Sequence, residues 1–125
     1  MCQATARAER ELPISSDAPR LARQFLRTAS CSHHHRAVLD DAVLLVSELV
    51  TNSVQHGGPP VVLAVDCDGE GLQVRVRDGS RNLPLPRDAR AGAETGRGLA
   101  LVDTVSDKWG VDPVPEGKHV WFVIR

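Results

Sequence analysis

The chain has 125 residues, 42% of them hydrophobic, which is the size of one domain with enough apolar material for one core. Lys plus Arg number 15 against 16 Asp plus Glu, a formal net charge of -1, so no basic excess marks a binder of nucleic-acid backbones. No apolar run reaches the roughly 18 residues of a membrane-spanning helix, and the polar start from Met1 to Arg10 lacks a signal-peptide core, so a cytoplasmic protein without a membrane partner is expected.

In chain order, residues 7–14 are mixed and end near Pro13, which allows at best a short edge strand. Ser16 and Asp17 offer N-cap oxygens ahead of Pro19. Leu21, Phe25 and Leu26 then recur at helical spacing, predicting a helix from about Pro19 to Thr28. Cys31-Ser32-His33-His34-His35 contains metal-ligand side-chain types, but neighbours on a helix point in different directions and no second cluster completes a shell. A solvated helix start is the expectation there. Cys2, Cys31 and Cys67 are odd in number and widely spaced, which fits reduced thiols rather than a disulfide framework.

The strongest period lies between His35 and His56. There Val38, Ala42, Leu45, Val46, Leu49, Val50 and Val54 form a broad apolar stripe and predict a long central helix. Gly57 and Gly58 suit left-handed caps, and Pro59-Pro60 cannot continue the hydrogen-bond ladder. Two β-rich runs follow, Val61 to Asp66 and Leu72 to Asp78, separated by a Cys67-Asp68-Gly69-Glu70-Gly71 hairpin signal. In the second run Leu72, Val74 and Val76 alternate with Gln73, Arg75 and Arg77, so one face is buried and one is wet. Residues 79–95 show no period of either kind, which in a compact domain marks a functional or disordered loop. Gly96-Arg97-Gly98 leads into Leu99, Leu101, Val102 and Val105, a third helix ending before Trp109-Gly110. Val111 to Val114 and His119 to Ile124 read as a closing hairpin around residues 115–118. No internal repeat divides the chain, so residues 1–125 are read as one domain.

Three features carry chemistry. Glu48 and Asn52 lie one helical turn apart and reach one spot from an otherwise apolar helix, where a carboxylate and an amide are costly unless they bind something. An exposed polar stripe is the bland alternative. Asp78 ends an alternating strand beside Gly79. Such a residue usually caps a turn, but it can also supply the buried acceptor that a purine's exocyclic amine needs. Gly96-x-Gly98 opens a helix whose backbone N–H groups can approach phosphate oxygens, although two glycines are often only loop hinges.

Taken in order, Glu48-Leu-Val-Thr-Asn52-Ser-Val-Gln-His56-Gly57, Asp78-Gly79 and Thr95-Gly96-Arg97-Gly98-Leu99 resemble the N, G1 and G2 boxes of the GHKL, or Bergerat-fold, ATPase superfamily. The resemblance spans about residues 10–125. With Lys118-His-Val-Trp121-Phe-Val at the end, it is nearest to bacterial anti-sigma-factor serine/threonine kinases and their stand-alone relatives. It implies an α+β two-layer sandwich, with a mixed sheet covered on one face by helices and ATP held between helices and a lid at about residues 80–95.

By the same resemblance Asn52 would coordinate Mg²⁺ on the phosphates, Asp78 would bond adenine beside Gly79, and Gly96, Gly98 and Leu99 would line the nucleotide. Arg97 would contact the γ-phosphate or hold the lid, and Glu48 would be the general base. Ser80 departs from the pattern, standing where a second G1 glycine is common. The implied partners are an anti-sigma-factor antagonist as phosphoacceptor and a sigma factor, in a chain that can form a homodimer. A nucleotide-gated module that sequesters a transcription regulator without phosphoryl transfer is the alternative.

Overall fold

Strand and helix follow the sequence periods closely in the computed structural model, which describes residues 6–29, 36–67, 71–80 and 100–125. The elements run β1 (Ala6–Leu12), α1 (Ala18–Ala29), α2 (Arg36–His56), β2 (Val61–Cys67), β3 (Leu72–Asp78), β4 (Lys108–Val114) and β5 (Gly117–Ile124). Residues 100–105 are also helical. The His33–His35 run and residues 81–99 lie outside the described residues.

The predicted edge strand forms as β1, two residues short of its expected end. At the start of α1 Asp17 stands at the N-cap position, its carbonyl taking the first helical bond from Leu21 (3.0 Å), while the Ser15 hydroxyl accepts the Asp17 N–H (3.2 Å). The buried face of α1 is Ala18, Ala22 and Leu26; Leu21 and Phe25 only border the core. Small residues at 18 and 22 let the helix lie close against the sheet, a detail that hydrophobic spacing alone ranks wrongly because large apolar residues dominate the pattern.

The strands pair in the order β1-β2-β3-β5-β4. The mixed sheet expected from the sequence does not form among these strands, since all four pairings are antiparallel. Strand β5 inserts between β3 and β4, which run in the same direction and would otherwise pair in parallel. The two-layer α+β arrangement itself stands as expected.

One face of the sheet is apolar and carries the helices. Its ladder reads Leu63–Val76–Val120 and Val65–Val74–Phe122 across β2, β3 and β5, all of them buried. Each fully buried side chain of this kind contributes roughly 1.5–3 kcal/mol. Helix α1 packs over β1 and β2, and α2 packs over β2, β3 and β5. Trp109 pairs with Phe122 and so shares its face; its indole N–H donates to Asp103 Oδ1 (2.8 Å), which sets residues 100–105 on the same layer above β4. Val102 enters the core from there.

Candidate functional site

Helix α2 is apolar toward the sheet through Ala42, Leu45, Val46, Leu49 and Val50, and it is polar along its rims. Its rim toward α1 is marked by Ser47, whose hydroxyl accepts from the Arg23 guanidinium of α1 (3.2 Å). At about 100° of turn per residue, Glu48 and Asn52 stand about 100° and about 140° round from Ser47. They therefore occupy the opposite rim, half-buried. This placement fits neither a fully solvated stripe nor a buried core position.

The second component is the end of β3. Asp78 is 3% exposed and faces the helix layer, as the alternation of Leu72, Val74 and Val76 requires. Directly opposite it on β5 stands Lys118, 6% exposed. The Lys118 ammonium donates to both carboxylate oxygens, at 2.9 Å to Oδ1 and 3.1 Å to Oδ2. Oδ1 also accepts the Ser80 N–H (2.9 Å). The residue that departs from the expected G1 pattern thus holds the carboxylate through its backbone.

The third component is the C-terminal end of α2, which the fold brings onto Asp78. The Gly57 N–H closes the last helical bond on the Ser53 carbonyl (2.9 Å), and Gly79 N–H donates to the Gly58 carbonyl (2.7 Å). Neither Gly57 nor Gly58 has positive φ, so the left-handed caps expected from the sequence are not used. Gly57 is required for space instead. A Cβ there would come within 2.5 Å of Asp78 Oδ2 and 2.7 Å of the Ser53 carbonyl oxygen. A Cβ at Gly117 would likewise run into the Asp78 carbonyl oxygen, and one at Gly79 into the Pro59 carbonyl oxygen. Glycines from three segments thus allow the backbone to close round one carboxylate.

Gly57→Ala should therefore lower stability by about 1–3 kcal/mol through overpacking at a site whose nearest atoms include backbone. A shifted denaturant midpoint at unchanged slope would show it. A midpoint equal to that of the wild type would mean that Asp78 has room to move.

Of the residues singled out in the sequence, the structure brings Asp78 and Gly79 against the C-terminal turn of α2 and places Glu48 and Asn52 on the open rim of that same helix. Gly96, Arg97, Gly98 and Leu99 lie outside the described residues. Lys118 was not among the candidates, although a signal for it existed. In the alternation Lys118, Val120, Phe122, Ile124, a lysine occupies the parity that faces the core. Among the described residues no group of three or more His, Cys, Asp or Glu gathers as a metal site, and no helix is long and apolar enough to cross a membrane.

The chain matches the family model of the histidine kinase-like ATPase domain over residues 13–124, an interval that includes every residue discussed above as part of the site. No curated protein resembles the chain closely enough to count as a match.

Proposed function

This chain belongs to the histidine kinase-like ATPase domain family, and from that premise we propose that it is a regulatory protein serine/threonine kinase of the anti-sigma-factor type, using Mg-ATP to phosphorylate an antagonist protein. ATP binding is the activity that the family carries. The transfer to a protein hydroxyl, the magnesium and the partners are the finer reading. The observation that supports it is a buried acceptor, Asp78, against the C-terminal turn of α2, with a half-buried carboxylate and amide one turn apart on the rim of that same helix.

The chain's groups suit that ligand. Asp78 offers a carboxylate packed against Gly57, an acceptor matching the amine of a purine. Asn52 supplies an oxygen donor of the hard kind that magnesium prefers. When bound, Mg-ATP supplies the transferable phosphoryl group and its charge neutralisation. Asp78 would orient the base, and Asn52 would hold the magnesium by its amide oxygen. Glu48 accepts the proton of the attacking hydroxyl at a carboxylate oxygen. Gly96, Arg97, Gly98 and Leu99 complete the phosphate side in this reading. The acceptor is a serine or threonine of a separate antagonist protein, and a sigma factor is a second partner.

Incubation of the purified protein with Mg-[γ-³²P]ATP and candidate antagonists tests this. Label on a serine or threonine of one antagonist is expected. Label that reaches no hydroxyl while nucleotide still binds would remove the kinase assignment and leave a nucleotide-gated binding module.

A further inference from the structure

The Asp78–Lys118 pair is an odd way to end an apolar ladder. The three rungs beyond it on β3 and β5 are Val76–Val120, Val74–Phe122 and Leu72–Ile124, and a fourth apolar rung would extend the core without the desolvation penalty of two buried ions. A buried ion pair is weak support for stability but a strong local arrangement of polar valences. Its valences are also not exhausted. A carboxylate has about four acceptor positions, and among the described residues three hydrogen bonds reach Asp78: two from Lys118 and one from the Ser80 N–H. The remaining position is on Oδ2, the oxygen that faces Gly57. Lys118 has three N–H donors, and among the described residues its ammonium bonds only Asp78. The pair therefore presents an acceptor and a cationic donor side by side.

We propose that Lys118 is a specificity-determining residue of the nucleotide site, donating a hydrogen bond to the purine N1 while Asp78 accepts from the exocyclic amine. The inference rests on the ATP-binding reading above and adds the partner of the ring nitrogen. Adenine's outer edge carries an N–H donor at position 6 next to a bare acceptor at N1, the complement of Asp78 beside Lys118. Guanine carries an acceptor at position 6 and an N–H at position 1, which sets acceptor against carboxylate and donor against ammonium. Such mismatches leave buried charged groups unpaired and are the strong kind of discrimination. The Ser80 backbone bond and the bidentate ion pair hold both groups in place before any base arrives, so little ordering is required on binding.

Isothermal titration of the whole chain with ATP and with 1-deaza-ATP, in which N1 is a C–H, reads this directly. Wild-type protein should bind 1-deaza-ATP about 10- to 100-fold more weakly than ATP, the effect of leaving one charged donor unpaired. In Lys118→Met that ratio should fall to within about twofold, with ATP itself weakened. If Lys118→Met does not fold, the double variant Asp78→Asn with Lys118→Met, which removes both buried charges, carries the same comparison.

A wild-type ratio near one, a ratio that persists without the lysine, or GTP binding as tightly as ATP would each overturn the assignment. Absence of any nucleotide heat with wild-type protein is a different failure. It would remove the ATP-binding reading beneath it.

Discussion

Replacing Glu48 with Ala is expected to slow phosphoryl transfer to the protein acceptor by about 10²- to 10⁴-fold, the range over which a positioned general base contributes. Each factor of ten corresponds to about 1.4 kcal/mol of barrier. Glu48 is half-buried on the rim of α2 away from α1 and belongs to none of the core clusters, so its removal leaves the apolar face of the helix untouched. Affinity for ATP should consequently stay within about twofold, because a base that acts in the transition state contributes little to ground-state binding. A single-turnover assay with labelled ATP, set beside calorimetry of the same variant, separates the two quantities. A variant that transfers at the wild-type rate would relieve Glu48 of its role. A protein that holds its partner equally well with and without Glu48 and never transfers label would be a sequestering module.

Lys118→Ala should lower the unfolding free energy by about 3–5 kcal/mol, because it leaves the Asp78 charge buried without its partner. The side chains of Lys118 and Asp78 are 8% and 3% exposed, so bulk solvent compensates little for the lost ammonium. Asp78→Asn together with Lys118→Met should recover most of that loss, since replacing both ions removes the desolvation penalty along with the attraction. Urea denaturation of Asp78→Asn, of Lys118→Met and of the double variant closes a cycle, and a coupling free energy above about 1 kcal/mol is expected for groups in direct contact. Additive losses would show that the pair is not coupled. By contrast, the exposed Arg20–Asp17 pair (3.6 Å), with more than half of each side chain in solvent, should contribute no more than about 0.5 kcal/mol.

Much of this was legible in the residue order. Strand β3 was readable to the residue from the alternation of Leu72, Val74 and Val76, and α2 was readable within one residue from its apolar stripe and the Gly-Gly-Pro-Pro stop. The placement of Glu48, Asn52, Asp78 and Gly79 on their elements was legible for the same reason. Glu48 and Asn52 lie one turn apart, and Asp78-Gly79 are adjacent, so a local period already places each group on a known side of its own element.

Other features were not written locally. Gly57 looked like a helix cap, yet its use is the clearance of Asp78, a residue of another element that no neighbouring residue announces. The sheet was expected to be mixed and is antiparallel among the described strands, because the return of the chain as β5 between β3 and β4 is a choice of topology. Periodicity determines which face of a strand is buried but not which strand lies beside it.

The amino-acid order by itself determined the elements and the apolar faces of α2 and β3, since these depend on side chains a few residues apart. Tertiary structure alone decided that Lys118, 40 residues from Asp78, would meet it in register, and that Glu48 and Asn52 would face away from α1. Contacts at such separation exist only once the core has set strand order and helix orientation, because burial of the apolar faces is the force that selects among the arrangements local patterns allow.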